Sequence, residues 1–291
     1  MSALGLFVYQ TLDAIDGKQA RRTGCQSSFG ELFDHGCDAL STIFGTLGTV
    51  LCLQSDKSFL SFGVMLCAYL TFAGAHVQTY FKGCLQFGLI DVTEIQLSGM
   101  MIMIVCSVQP DYWTARVNGV PLSHIPILVT YVTTLVVVVL QLYDTATCKH
   151  VPHAKTSPLE LWTGVLAIPM IALAWFAHAK DAINAVEFIL LIIAVGLVNA
   201  SHSCSLILAH MSHSALSRTS YLRIMPMAGC AAANALGLMS AASAVRLCFA
   251  VNLLTFLHFS IAVSRQISAF LGISVFKVTK ATAVDFRKRL K

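Results

Sequence analysis

Long apolar segments recur along the whole chain and constrain its fold more than any other feature. The approximate segments are 37–54, 58–81, 95–109, 122–143, 160–178, 185–209, 223–242 and 246–272. A helix needs about 20 apolar residues to cross the hydrocarbon core of a bilayer. Lipid offers the backbone no hydrogen-bond partners, so such segments must be helical. The sequence therefore predicts an all-α fold, a polytopic transmembrane helical bundle of about eight spans.

The composition excludes the soluble classes of protein. Hydrophobic residues make up 56% of the 291 residues, charged residues only 11%, and the mean hydropathy is +0.74. A soluble domain usually carries about 25% charged residues. The ten cysteines are scattered without a C-x-x-C pair, which is typical of small buried side chains rather than disulfides or zinc ligands. The loops are too short for a second domain, so residues 1–291 are predicted to form a single membrane domain.

The two ends of the chain differ from the spans. The apolar run 3–12 is too short to cross a membrane and resembles the last half of a helix, which predicts an N-terminally truncated helix. Residues 277–291 form a basic tail that the positive-inside tendency places in the cytosol. No basic face or base-stacking motif accompanies this tail, so nucleic-acid binding is not expected. The loop pair His150 and His153 is interpreted as solvated rather than metal-binding.

The acidic residues are concentrated in one short window. Of the fourteen in the chain, five lie within residues 13–38: Asp13, Asp16, Glu31, Asp34 and Asp38. The first two aspartates are three residues apart and the last two are four apart, so each pair shares one face of a helix. A glycine- and serine-rich stretch between them would fold the two helices against each other. Carboxylates close to a membrane indicate function by default.

Four converging carboxylates repel one another unless protons or cations neutralise them. Mg²⁺ prefers carboxylate oxygens and completes its shell with water and phosphate, and two such ions form a phosphoryl-transfer site. Lys18 and Arg21 beside the acids suit a diphosphate. Two other interpretations remain open: surface ion pairs with Lys18, Arg21 and Arg22, and a transporter or channel that uses the acids as a cation site.

The spacing of these residues matches a known signature. The segment 13–38 fits D-x-x-D-G-x-x-A-R-x(8)-G-x-x-x-D-x-x-x-D at every defining position, and in this it resembles the CDP-alcohol phosphotransferase family. The fuller wording DGKQARRT and GELFDHGCD is similar to the eukaryotic choline and ethanolamine phosphotransferases. The similarity continues through 76–80, 88–94, 209–211 and 261–276 and is looser elsewhere.

The resemblance implies a reaction, partners and a location. Such enzymes transfer phosphocholine from CDP-choline, or phosphoethanolamine from CDP-ethanolamine, to diacylglycerol. The products are phosphatidylcholine or phosphatidylethanolamine, and CMP, in the final step of the CDP-alcohol pathway. The family implies a multi-pass protein of the endoplasmic reticulum or Golgi membrane, with its active site facing the cytosol, and commonly a homodimer. The resemblance does not decide between choline and ethanolamine.

The resemblance also implies a metal centre of two Mg²⁺ or Mn²⁺ ions. The ligands carried over by position are Asp13, Asp16, Asp34 and Asp38. Of these, Asp13 and Asp34 would bridge both ions, while Asp16 serves the first ion and Asp38 the second.

Substrate and proton-transfer roles follow by the same resemblance. The CDP-alcohol would contact Gly17, Arg21 and Glu31. Asp38 is the general base often assigned in the wider family, but a bound cation lowers the pKa of a carboxylate and makes it a poor base. His35 has an ordinary pKa of about 6.5, and we expect it to take the proton of diacylglycerol. Alternatively, His35 only hydrogen-bonds a metal-binding carboxylate.

Other polar residues of the spans are candidates for a pocket or for structural hydrogen bonds, and the structural role is favoured. They are His76, Gln78, Asp91, Glu94, Gln96, His202, His210 and His213. A second hypothesis for the whole chain follows from its short N-terminus. It describes a catalytically impaired, truncated isoform that acts as a partner or regulatory subunit of a full-length enzyme.

Overall fold

The protein is a bundle of α-helices. A computed structural model describes residues 2–55, 57–85, 92–152 and 154–275, and helices dominate this part of the chain. The α-helices are α1 (Ser2–Thr23), α2 (Ser28–Cys52), α3 (Phe59–Lys82), α4 (Val92–Val108), α5 (His124–Thr147), α6 (Pro158–Ala179), α7 (Ala185–Met211), α8 (Arg218–Leu222), α9 (Met225–Ala235) and α10 (Ala241–Leu271). The predicted all-α class is confirmed. The basic tail at 277–291, Asp91 and His153 lie outside the described residues.

A short 3₁₀ turn and a two-stranded ribbon separate α4 from α5. A 3₁₀ turn at Tyr112–Thr114 precedes an antiparallel ribbon of β1 (Arg116–Val117) and β2 (Val120–Pro121). In this ribbon Val117 pairs with Val120. The turn between them has Asn118 and Gly119 at φ 52° and 81°, the left-handed backbone that a two-residue hairpin requires.

Polar caps begin most of the long helices. The hydroxyl of Ser27 accepts from the backbone N–H of Gly30 at the start of α2, and Ser58 and Ser157 act in the same way on α3 and α6. At α7, Asn184 and Glu187 form a capping box. Because the first N–H groups of a helix have no partner within it, these caps define where each of these helices begins.

Helix α7 lies at the centre of the bundle. It packs against α2, α3 and α10, and its residues are mostly buried. Gly196 lets two neighbours come close, since a Cβ there would lie 2.7 Å from both Ile43 Cγ1 and Tyr69 Oη. Small residues allow membrane helices to approach in this way. The main core therefore forms where α2 and α3 meet the middle of α7.

The contacts between loops show which helix ends lie together. Lys57, between α2 and α3, donates to the carbonyl of Ile183, between α6 and α7. Arg246, near the start of α10, pairs with Glu187, near the start of α7. These residues mark one end of the bundle, so the first turns of α2 and the last turns of α3 and α7 lie at the other end. The signature residues belong to that second end.

Among the described residues, the number of candidate spans agrees only roughly with the eight that the sequence predicts. Within the described ranges, five helices are long and apolar enough to cross a membrane: α3, α5, α6, α7 and α10. Helix α4, in the predicted span 95–109, has only 17 residues. The predicted span 223–242 is divided, because α9 begins at Met225 and has 11 residues. Pro226 lies in the first turn of α9. Because proline has no backbone N–H, it cannot donate to a carbonyl of the preceding turn, so the helix begins here. The predicted span 246–272 is one 31-residue helix.

Candidate metal centre

Two helices and a short turn carry the signature. Helix α1 continues through Asp13 and Asp16 to Thr23, well beyond the apolar run 3–12. Helix α2 begins at Ser28, so the reversal uses only the residues between these helices. Gly24 has φ 68°, a left-handed conformation that ends α1. The predicted turn is therefore much shorter than the glycine- and serine-rich stretch suggests.

Three of the four aspartates converge. Each of Asp13, Asp34 and Asp38 offers a carboxylate oxygen, and these three oxygens lie within 4.8 Å of one another. All three side chains are partly buried. Oxygen ligands at this spacing suit a hard divalent cation such as Mg²⁺. In the described part of the chain, this is where acidic, histidine or cysteine side chains gather closely enough to hold a metal ion.

The electrostatics of the cluster fit a cation. Burial, followed by the charges of Asp16 and Asp38, raises the pKa of Asp34 to about 8. An ordinary aspartate has a pKa of about 3.9. The carboxyl group of Asp34 resists ionisation because burial disfavours its negative form and because that form is repelled by the neighbouring carboxylates. A positive charge bound between them would offset this repulsion and stabilise the ionised form. The donor set therefore fits a divalent metal ion, and Asp13, Asp34 and Asp38 would hold it.

The fourth aspartate is near but not part of this close group. Asp16 is exposed, one turn along α1 from Asp13, and close enough for its charge to raise the pKa of Asp34. Arg21 is also exposed, and its guanidinium lies over Gly17, where a Cβ would be 3.6 Å from Nη1. These residues form the open side of the cluster, on the last turns of α1.

Glu31 and His35 are one turn apart on α2. Glu31 is exposed in the first turn, where its charge suits the positive end of the helix. Burial lowers the pKa of His35, while the charges of Glu31 and Asp13 act in the opposite direction. The Nδ1 atom of His35 is buried without a hydrogen-bond partner among the described groups. His35 is therefore a partly buried imidazole near the carboxylates, with a buried ring nitrogen that has no hydrogen-bond partner among the described groups.

Sequence reasoning missed one residue of this site. The hydroxyl of Tyr9 donates to Asp38 Oδ1 at 2.6 Å. Tyr9 precedes Asp13 by four residues and so lies on the same face of α1, which was the signal available in the sequence. That signal was weak, because a tyrosine in a short apolar run is equally compatible with a role in hydrophobic packing.

His76 gains a specific place. Its ring on α3 is 4% exposed, and its centroid lies 5.2 Å from that of His35 and 4.7 Å from that of Phe72. His76 therefore contacts the predicted base, His35. This position is compatible both with a residue that lines a pocket and with a structural residue.

Several other polar residues have structural contacts. Gln78 donates to Asp144 Oδ2, which also pairs with Lys82. His202 is buried and shares a hydrogen bond with Ser220 at 3.1 Å. These contacts agree with the favoured structural role of Gln78 and His202.

The remaining candidates lie at helix ends. Glu94 is exposed in the first turn of α4, and Gln96 follows it on the same helix. His210 lies in the last turn of α7, close enough to influence His76 electrostatically, and His213 lies just beyond with φ 51°. In the loop after α5, a ring nitrogen of His150 lies 2.9 Å from the carbonyl of Thr145, which is a structural contact.

Known proteins are similar to this chain in sequence. Residues 1–105 match the family model of the CDP-alcohol phosphatidyltransferases. Cholinephosphotransferase 1 of Xenopus laevis is 32% identical over 304 aligned positions, which cover 98% of this chain and 73% of the frog protein. Cholinephosphotransferase 1 of Danio rerio is 48% identical over 133 positions. An uncharacterized class-I family protein of Dictyostelium discoideum is 42% identical over 99 positions.

The extent of these matches differs between relatives. The aligned part spans 35% of the zebrafish protein and 26% of the Dictyostelium protein, whereas the frog protein is matched over 73% of its length. The family model covers α1, α2, α3 and nearly all of α4, which include the carboxylate cluster. The frog match extends the similarity over almost the whole bundle. The chain therefore belongs to the CDP-alcohol phosphatidyltransferase family.

Proposed function

We propose that this protein transfers phosphocholine from CDP-choline to the hydroxyl of diacylglycerol, releasing CMP and forming phosphatidylcholine. Phosphoethanolamine transfer from CDP-ethanolamine is the same chemistry with a different head group. The names of the frog and zebrafish relatives favour choline. The observation that carries the proposal is the convergence of Asp13, Asp34 and Asp38 at the meeting of α1 and α2.

The carboxylate cluster supports a metal-assisted reaction. Asp13, Asp34 and Asp38 would hold Mg²⁺ or Mn²⁺, with Asp16 as the outermost ligand of a two-ion site. Such ions, when bound, neutralise charge on the diphosphate and on the departing CMP. The aspartates thus orient the diphosphate of the nucleotide at the end of the bundle where α2 begins.

The side chains on the open side of the cluster suit the nucleotide. The guanidinium of Arg21 lies over Gly17, which has no side chain. A diphosphate can therefore approach the guanidinium there without meeting a side chain of the helix. Glu31 lies in the first turn of α2 and would contact the CDP-alcohol, as the family resemblance implies.

His35 suits the proton transfer. In the reaction the hydroxyl oxygen of diacylglycerol forms a bond to the phosphorus that carries the alcohol, and the bond from that phosphorus to CMP breaks. The hydroxyl proton passes to a ring nitrogen of His35. Burial favours the neutral imidazole, which can accept that proton at neutral pH. Asp38, as a metal ligand, is the weaker base.

The membrane explains why the site is at a helix end. The five apolar helices of the described residues are long enough to hold the protein in a bilayer, so diacylglycerol would reach the site from lipid while the soluble CDP-alcohol arrives from water. We place the site on the cytosolic side of an endoplasmic reticulum or Golgi membrane. Assembly as a homodimer stays a prediction.

The decisive experiment offers both CDP-alcohols side by side. Membranes that contain the expressed chain would receive labelled CDP-choline or CDP-ethanolamine, diacylglycerol and Mg²⁺. We expect labelled phosphatidylcholine, its loss on chelation of the metal, and recovery when Mg²⁺ or Mn²⁺ is returned. Labelled phosphatidylethanolamine would extend or reassign the head group.

A pair of variants tests the site in the same assay. Asp34→Asn removes a charge from the cluster, and product formation should fall by more than about 100-fold, since even partners of metal ligands contribute 10–100-fold. Asp181→Asn removes an exposed carboxylate that pairs with Lys180, and activity should be unchanged. Product formation that survives Asp34→Asn, or the lack of lipid product from either nucleotide, would contradict the proposal.

A further inference from the structure

Tyr9 stands between an apolar contact and the carboxylate cluster. Leu6, Tyr9 and Asp13 occur at helical spacing on α1 and face α2. A Cβ at Gly45 of α2 would lie 3.6 Å from Leu6 Cδ1, so the two helices touch there. Nearer the site, Tyr9 reaches Asp38, and beyond it Asp13 meets Asp34 and Asp38. Along the contact between α1 and α2, Tyr9 thus lies between the apolar residue Leu6 and the metal-binding carboxylates.

The bond from Tyr9 acts on the side chain of Asp38. The phenol hydroxyl donates to Oδ1 at 2.6 Å, a length typical of a hydroxyl that donates to a charged carboxylate. Ser41 and Thr42 also bind Asp38, but their hydroxyls donate to its backbone carbonyl. The described hydrogen bonds of the Asp38 carboxylate therefore come from α1, where Tyr9 and Asp13 both contact it.

Helix α1 needs such a constraint. None of its described residues is buried, and it packs mainly along α4, with few contacts to α2. The metal cluster nevertheless requires carboxylates of α1 and α2 to face each other within a few ångströms. Groups that hydrogen-bond a metal-binding side chain fix its orientation and influence metal affinity.

We infer that Tyr9 is a positioning residue of the metal centre, which orients the Asp38 carboxylate by the bond between Tyr9 Oη and Asp38 Oδ1. A carboxylate has about four lone-pair sites, so one accepted hydrogen bond leaves the others for a cation. The inference rests on the proposed metal centre and adds a residue that does not touch the substrates.

The test measures metal binding without nucleotide or lipid. The purified 291-residue chain in lipid nanodiscs would be titrated with Mn²⁺, and free Mn²⁺ would be followed by electron paramagnetic resonance. Tyr9→Phe keeps the ring and removes the donor, and we expect the Kd for Mn²⁺ to rise about 10-fold. In activity assays the apparent KM for Mg²⁺ should rise, while kcat at saturating Mg²⁺ stays within about twofold.

Two matched variants separate positioning from helix docking. Thr11→Val removes a hydroxyl of α1 that donates only to the carbonyl of Phe7 among the described contacts. Leu6→Ala removes the apolar contact with α2 but leaves every carboxylate in place. Both should keep the Mn²⁺ affinity of the unchanged protein. Equal weakening in Leu6→Ala and Tyr9→Phe would mean that the tyrosine only docks the helix, and the inference would be wrong.

A double variant tests whether Tyr9 acts through Asp38. In an Asp38→Asn background, Tyr9→Phe should change the Mn²⁺ affinity much less than it does alone, because the two residues share one interaction. Additive effects would overturn the inference. Mn²⁺ binding with the expected Tyr9 effect but no lipid product would reject the proposed function and leave the inference standing. Unchanged protein that does not bind Mn²⁺ would overturn both.

Discussion

Helices α1 and α7 have comparable lengths, 22 and 27 residues, but they are packed in opposite ways. No described residue of α1 is buried, whereas α7 is buried along most of its length between α2, α3 and α10. The residues proposed for chemistry lie on α1 and at the start of α2. The residues that hold the bundle together lie on α7 and on the helices that surround it.

From this difference we expect activity and stability to depend on different helices. Substitutions near the carboxylates should change metal binding or catalysis with little effect on folding. Substitutions along α7 should do the reverse, because burial and close packing make a residue important for stability. Each of the following predictions tests that division.

The largest effect is expected at His35. His35→Ala should lower kcat by about 100- to 10,000-fold, the usual contribution of general acid–base catalysis. Its thermal midpoint and Mn²⁺ affinity should stay close to those of the unchanged protein. His258→Gln, at an exposed histidine of α10, is the control and should retain full activity. Equal activity in the two variants would remove His35 from the mechanism.

The next effect concerns the buried end of α7. The carboxyl side chain of Glu187 is 2% exposed and pairs with Arg246 of α10. Arg246→Met removes the cation that pairs with this carboxylate and should lower the free energy of unfolding more than the loss of an exposed pair does. Lys180→Met at the exposed pair with Asp181 should cost less than about 1 kcal/mol. Denaturation in detergent would compare them, and equal losses would contradict the importance assigned to burial.

A pair of glycine variants compares the two helices directly. Gly196→Ala adds a methyl group at 2.7 Å from Ile43 Cγ1 and should destabilise the protein by about 1–3 kcal/mol. Gly5→Ala on α1 meets nothing within 4 Å and should stabilise it by about 0.5–1 kcal/mol, since alanine favours a helix. Thermal midpoints in the same detergent would measure both. A stabilising Gly196→Ala would show that α7 is packed less tightly than described.

The smallest effect is a pH dependence of the metal-free protein. The pKa of Asp34 is raised to about 8, so the folded state binds a proton that the unfolded state releases near pH 4. Stability contributed by this proton is present at acidic pH and is lost as pH rises through about 8. With a chelator present, the thermal midpoint should therefore fall between pH 6 and pH 9.

Asp34→Asn provides the control for that titration, because it cannot release the proton and should flatten the decline. Returning Mg²⁺ should restore the midpoint at high pH by neutralising the carboxylates. A midpoint that rises steadily across this range would contradict the raised pKa of Asp34.

Much of the site could be predicted from local spacing. The separations Asp13–Asp16 and Asp34–Asp38 place each pair on one helix face, whatever the rest of the chain does. The structure brings Asp13, Asp34 and Asp38 together and leaves Asp16 exposed beside them. Local periodicity gives the face of each residue, but the distance between two helices depends on how they pack.

In the described part of the chain, the span count agrees only roughly with the predicted eight, for a related reason. Apolar composition alone does not distinguish one crossing helix from two short helices, as the region after Arg223 demonstrates. Pro226 marks the start of α9, but a proline is also compatible with a continuous span, as Pro169 inside α6 shows. The surrounding helices decide between these outcomes.

By itself, the sequence determined the helical class, the membrane setting and the aspartate signature, because hydropathy and helical spacing are local properties. Only the tertiary structure decided which side chains meet across helices: Tyr9 with Asp38, and His35 with His76. Those pairs are separated by dozens of residues, and their contacts arise from the packing of α2 against its neighbours. The distances between such side chains are set by the packing of the whole fold and not by local sequence.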